Sequence, residues 1–448
     1  MSSKAELEAL RLDGPDAETR LAVLEAKLAA DHAAGFSPPK TGEVNNHIHT
    51  TYSFSPYSPA EAAYGAWRAG LEAAGIVDHE SVSGCPEMLE AGKRIGIAVT
   101  SGCELRVDAA GTAIEGRRIN NPDSTGLFYM VIHGIPKAGL AEVDAYLAKI
   151  RESRNKRMRE QTAALNGILA AAGLAELDFD ADVVPISRTA EGGSITERHI
   201  LYALAGKFAE SFGRGDALIG ALESKLGLKV PPVIVGRLSD AENPHFLYDI
   251  LGLFKGSLVP RFFRQPDAEE CPPVKEATAL ADRVGAIAAY PYLGDVGESP
   301  TGDKKAEKYE DDWLDDLFEA LPEMGFRAVT YMPPRNTKAQ LARVKDFCAR
   351  KGLMEISGVD INSSRQEFRC PEVTDPDFAH LNDSTWALIA HEHLSNAGGP
   401  GLFGAESPMA DASLSIRLDV YARMGRRMDP SRPESIVDAA KKEGLWTV

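Results

Sequence analysis

Apolar residues fall into short runs separated by longer stretches with helical spacing. From residue 44 onward the runs read EVNNHIH, AAGIVDH, GIAVTSGCEL, FYMVIHGIP, AIAAYP, RAVTYMP and EISGVDIN. Such short apolar runs bounded by Gly, Pro, Asp or Asn predict buried strands. Between them, the apolar spacing predicts helices over 58–71, 85–94, 138–170, 195–210, 273–284, 311–324 and 336–350. Strand followed by helix, repeated, predicts an α/β fold on a parallel sheet. Seven strand-like runs fit a β/α barrel better than an open sheet. No GxGxxG or GxxxxGKS/T follows a run, so nothing supports a Rossmann or P-loop nucleotide site.

The stretch between HGIP and AYP is mostly helical and too long for a βα loop. It predicts an inserted helical cap domain over 138–272, dividing the barrel into 41–137 and 273–380. Residues 1–40 read as an N-terminal helical arm, with Leu21, Leu24 and Leu28 at helical spacing. Its expected role is packing or contact between copies of the chain in a homo-oligomer. Residues 381–448 read as a C-terminal helical tail. Within the cap, KIRESRNKRMRE concentrates Lys149, Arg151, Arg154, Lys156, Arg157 and Arg159. That pattern suits a solvated helix face or a cationic lid over an anionic ligand.

Composition narrows the function. The 448 residues are 44% hydrophobic and 26% charged, as in ordinary globular proteins. A net charge of −17 argues against binding duplex nucleic acid, where phosphate neutralisation supplies much of the affinity. A small anionic substrate remains compatible, because a local cluster of cations can dominate one pocket. The five cysteines are scattered and form no CxxC pair, which predicts reduced thiols. No apolar run is long enough to span a membrane, and the N-terminal stretch has no apolar signal core. The expected location is cytoplasmic.

Metal-capable residues gather at the ends of the strand-like runs. His47 and His49 stand two apart on one strand, which puts both rings on one face. Asp78 and His79 end the second run, Glu104 the third, His133 the fourth and Asp360 the last. Buried apolar strands rarely carry unpaired polar groups, so this repetition points to a shared site. Imidazole and carboxylate suit manganese, iron or zinc, and Glu104 is placed to bridge two ions. Arg117, Arg118 and Arg335 lie in loops beside the strands and offer bidentate anion recognition. His391 and His393 form HEH, which lacks the HExxH spacing of a helical zinc site. Ser53 and Ser55 have no readable base partner and are not taken as nucleophiles.

Taken in order, HIHTTYS, GIVDHES, GCELRV, VIHG and GVDIN resemble the polymerase-and-histidinol-phosphatase (PHP) superfamily of metal-dependent phosphoesterases. The small stand-alone nucleotide-phosphate phosphatases are the most similar members. They share a helical insertion with an R-x-x-R…L motif, here Arg154, Arg157 and Leu165, and an element matching Glu197-Arg198-His199. The resemblance implies a distorted seven-stranded β/α barrel. It implies one ion held by His47, His49, Glu104 and Asp360, and a second by His79, Glu104 and His133. The positions of a third ion are filled by Phe54, Tyr290 and Asn362, which predicts a remodelled two-metal centre.

The expected function is hydrolysis of a small phosphorylated metabolite by a metal-activated water. Asp78 would orient a ligand or the nucleophile, and Arg198 and His199 would contact the substrate anion or supply a proton. Tyr290 offers a phenol to the substrate. Two alternatives stand beside this one. They are a two-metal hydrolase of an ester, amide or glycoside bond, and a non-catalytic metal-bound binding protein.

Overall fold

The strand-forming runs are short and rich in small or β-branched residues, and two of them break in the middle. A computed structural model describes residues 3–121, 123–295 and 310–446. The first run forms β1 (Val44–Ile48). The second splits into β2 (Ala73–Ile76) and β3 (Asp78–His79), and the third into β4 (Ala98–Thr100) and β5 (Gly102–Asp108). β6 (Leu127–His133), β7 (Ile287–Tyr292), β8 (Ala328–Tyr331) and β9 (Met354–Ser357) follow. The breaks divide the strands between a three-stranded sheet, β1-β2-β4, and a six-stranded sheet, β3-β5-β6-β7-β8-β9. A parallel bridge between Ile48 and Ile361 links β1 to the chain just after β9.

The all-parallel expectation is corrected at one strand. β6 runs antiparallel to both β5 and β7, while the other pairs are parallel. The reason is the connection. No helix is described between β5 and β6, and only a crossover can bring the next strand back in parallel.

Among the described residues there are sixteen α-helices. They are α1 (Lys4–Leu10), α2 (Ala17–Ala33), α3 (Pro59–Arg68), α4 (Cys85–Ile95), α5 (Leu140–Ala171) and α6 (Glu197–Phe212). Next come α7 (Asp216–Leu226), α8 (Pro232–Ser239), α9 (Phe246–Ser257), α10 (Val259–Phe262) and α11 (Val274–Arg283). Last are α12 (Leu314–Glu323), α13 (Lys338–Lys351), α14 (Ala379–Asn396), α15 (Leu414–Arg427) and α16 (Ile436–Lys442). Among the described residues no helix is long and apolar enough to cross a membrane.

Three apolar cores hold the molecule. The first joins strand residues such as Leu105, Met130 and Ile132 to α2–α4 and α11–α13. Leu10, Leu21, Leu24 and Leu28 of the N-terminal helices belong to it, and the buried Arg20–Glu87 pair (2.6 Å) locks α2 onto α4. The second lies almost wholly between β6 and β7 in sequence and includes Leu165, Leu201, Leu222 and Phe254. Helix α5 belongs to both. Its Val143, Leu147 and Ile150 enter the first core, and its Met158, Leu165 and Leu169 the second. The third core packs α14 against the opposite strand face, where Ala73, Ala98, Ala289 and Ala328 leave room for a helix. Helix α14 is buried along most of its length.

Candidate metal centre

Backbone pairing assembles the site. His79 stands directly opposite Glu104 in the parallel β3–β5 register. Ile361 accepts from His49 N (2.9 Å) and donates to His47 O (3.1 Å), which draws Asp360 alongside both histidines. The ligand atoms then converge. Glu104 Oε2 lies 3.8 Å from His47 Nε2, 3.8 Å from His49 Nε2 and 3.2 Å from His79 Nδ1. Asp360 Oδ1 lies 3.3 Å from His49 Nε2. One ligand atom each from His47, His49 and Glu104 fall within 4.8 Å of one another.

These distances test the fit of a cation. Two ligands each ~2.1 Å from one tetrahedral ion are separated by about 3.4 Å, and the separations here of 3.2, 3.3, 3.8 and 3.8 Å bracket that value. His79 Nδ1 is buried and makes no hydrogen bond despite its proximity to Glu104, as expected of an atom aimed at a shared point. Electrostatics agree. Burial pushes the Asp360 carboxyl up, but the imidazoles of His49 and His47 outweigh it and hold the carboxyl low. Burial lowers His49, yet Asp360 and Glu104 raise it on balance. Glu104 is buried and Asp360 half-buried, so their carboxylates favour a positive partner, and the donor set suits a divalent ion.

Not every expected residue reaches this point. On β6, His133 pairs with Gly102 and Val131 with Glu104. Residues two apart on a strand share a face, so His133 lies on the same sheet face as Glu104, one pair further along. Its Nε2 is buried without a hydrogen bond, and burial, with His47 nearby, lowers its pKa to about 3. Tyr129, earlier on the same strand, brings its ring to 6.0 Å from that of His79. Tyr290 is displaced. It is fully buried against Phe128 and Phe326, and its hydroxyl donates to Glu310, so it meets no substrate.

Asp78 sits beneath the site. It accepts from Thr50 N (2.6 Å), Thr50 Oγ1 (2.5 Å) and Ser53 Oγ (2.6 Å), and so fixes the loop after His49. The imidazole of His199 accepts from Thr196 N (3.0 Å) as part of the α6 N-cap, and burial lowers its pKa to about 3. It is therefore unsuited to supplying a proton near neutrality. Its ring meets Phe54 edge-on at 5.0 Å.

The arginines divide. Arg198 reaches the site edge, donating to Asn362 Oδ1 (2.5 Å), and Asn362 in turn donates to Asp360 Oδ1 (2.6 Å). Arg117 turns to Asp316 (3.3 Å) and stacks on Trp313. Arg118 is half-buried in the same loop. Arg335 donates to Leu293 O (3.0 Å). The cationic lid is corrected as well. Arg154 pairs with Glu80 and Glu197, Arg157 with Glu197 and Glu270, and Arg151 with Asp144. The pairing was not readable from the sequence, because the carboxylates Glu80, Glu197 and Glu270 come from distant segments. His391 and His393 bond separately, to Leu402 N (2.9 Å) and Val99 O (3.1 Å), and share no ligand point.

Residues 45–178 match the PHP domain. The PHP stretch contains His47, His49, His79 and Glu104, while Asp360 lies beyond it. The resemblance carried by HIHTTYS, GIVDHES and GCELRV thus holds over this stretch. Two solved structures are similar to the chain at low identity. An amidohydrolase from Chromobacterium violaceum, with bound sulfate and no metal, is 18% identical, covering 73% of this chain and 90% of its own, with a TM-score of 0.48. A candidate metal-dependent phosphoesterase from Bifidobacterium adolescentis is 17% identical, covering 77% of this chain and 97% of its own, with a TM-score of 0.48. No curated protein matches the chain. The PHP match and the His–His–Glu cluster together support a metal-dependent hydrolase.

Proposed function

We propose that the chain is a phosphoesterase acting on a small phosphorylated metabolite. The observation that carries this reading is the convergence of His47, His49 and Glu104 ligand atoms within 4.8 Å, with Asp360 beside them. His47, His49, Glu104 and Asp360 would hold one divalent ion of manganese, iron or zinc. His79, the shared Glu104 and His133 would hold a second, His133 Nε2 being buried without a hydrogen bond on the Glu104 face. When bound, such ions polarise the scissile group and lower the pKa of water.

The chain's own residues do the rest. Arg198 makes no ion pair among the described residues, and its position beside Asp360 suits a substrate phosphate. Next to it, Phe54, His199, Tyr202 and Tyr248 line a cavity of about 170 Å³ with Thr51 and Ser55. This cavity would receive the organic part of the substrate. Asp78 keeps the His49 loop in place. The strands, joined through the Ile48–Ile361 bridge, would form the distorted barrel around this site, with the second core as its cap.

The test is elemental analysis of protein purified without added metal, followed by turnover of phosphomonoesters against ester and amide substrates. We expect metal in the native chain, and joint loss of metal and turnover in His49→Ala and Asp360→Ala. Turnover that survives either substitution, or that is confined to non-phosphate substrates, would refute the assignment.

A further inference from the structure

The chain turns sharply at Glu80, immediately after the site residue His79. Glu80 has φ 47°, and among the described residues no other non-glycine residue has a positive φ. A glutamate enters that region only when its surroundings impose it. Three contacts do so. Glu80 N donates to Glu104 O (2.7 Å). Arg151 Nη1 donates to Glu80 O (2.9 Å). Arg154 Nη1 binds the fully buried Glu80 carboxylate.

Both arginines come from the middle of α5, where the helix passes from the first core to the second. Arg154 reaches further. Its Nε donates to Ile195 O (3.0 Å), and its Nη2 lies 3.4 Å from Glu197, at the start of the helix that bears Arg198. One buried guanidinium therefore joins the turn behind His79 to the end of α6. Neither Arg151 nor Arg154 is within hydrogen-bond reach of a ligand atom in the contacts described.

We propose that Arg151 and Arg154 are positioning residues that hold His79 in its ligating orientation through the left-handed turn at Glu80, and that Arg154 registers this turn against α6. The inference rests on the metal-centre reading above and adds residues outside it. A side chain that fixes a ligand from behind sets metal affinity without touching the metal.

The readout is Mn²⁺ affinity of the full chain stripped of metal, measured by calorimetry, with circular dichroism to establish folding. Arg154→Met is expected to weaken binding about ten-fold or more, and Arg154→Lys to recover part of the loss. A sharper demand follows from the backbone. Glycine adopts positive φ freely, so in a Glu80→Gly background Arg154→Met should change affinity by less than about two-fold. A purely structural role for Arg154 would instead give equal losses in both backgrounds, and that result overturns the proposal. So does an Arg154→Met chain whose affinity stays within about two-fold of native. If Arg154→Met does not fold, Arg151→Met is measured under the same two criteria, since it removes only the contacts to Glu80 O and Asp144. A native chain that binds no Mn²⁺ overturns the metal-centre reading and this inference with it. Native binding that Arg154→Met leaves intact overturns the inference alone.

Discussion

At the residue scale, the identity of the candidate ligands and their placement have different origins. His47 and His49 share one face because strand side chains alternate, and their rings lie 5.1 Å apart. His79 and Glu104 sit at the ends of apolar runs and meet because their strands pair in register. His133 fulfils the same sequence pattern on a strand that runs antiparallel, a direction the pattern does not carry. A second buried group shows what burial does to chemistry. Glu392 on α14 is fully buried, accepts from Ser101 N (2.7 Å), and its pKa is raised by burial to about 8. The folded chain keeps this proton while the unfolded chain releases it near 4.5, so the group costs stability as pH climbs between those values. Glu392→Gln should therefore stabilise the fold at pH 8 by on the order of 1–3 kcal/mol and change little near pH 5. Urea melts at the two pH values measure this, and an equal effect at both would exclude the burial of a proton as the cause.

At the element scale, each of the seven helix spans expected between or beside the strand runs has a counterpart in the structure. The expected spans 85–94 and 336–350 correspond to α4 (Cys85–Ile95) and α13 (Lys338–Lys351), each ending at a glycine in the left-handed conformation. The strand breaks were not legible, because a run's composition does not say where it changes sheets. Close helix approach was equally hidden. A Cβ at Gly425 on α15 would stand 2.1 Å from Trp386 O on α14. Gly425→Ala should force these helices apart and destabilise the fold by about 1–3 kcal/mol. Gly206 on α6 has open space around its Cβ position. Gly206→Ala should stabilise by about 0.5–1 kcal/mol, through helix propensity alone. Chemical denaturation of the two variants should give opposite signs, and matching signs would contradict the packing argument.

At the scale of the whole molecule, the proposed ligands come from segments as distant as His47 and Asp360. A cation held between them would bind the folded chain and not the unfolded one. Mn²⁺ at a hundred times its dissociation constant should raise unfolding free energy by about 2.7 kcal/mol, and a chelator should remove the gain. His49→Ala should abolish the increment, and a thermal shift that persists in this variant would place the ion elsewhere. The sequence by itself determined the alternation of strands and helices, the metal-capable residue types at the strand ends, and the long helical stretch between β6 and β7. Those features are local, arising from side-chain periodicity, backbone propensity and turn chemistry. Only the tertiary structure decided that β6 runs antiparallel, that Tyr290 turns away, that Arg154 and Arg157 are already neutralised, and that α14 is buried. Each of these depends on which distant backbone or charge becomes the partner, and partner choice is settled by burial and hydrogen bonding across the whole chain.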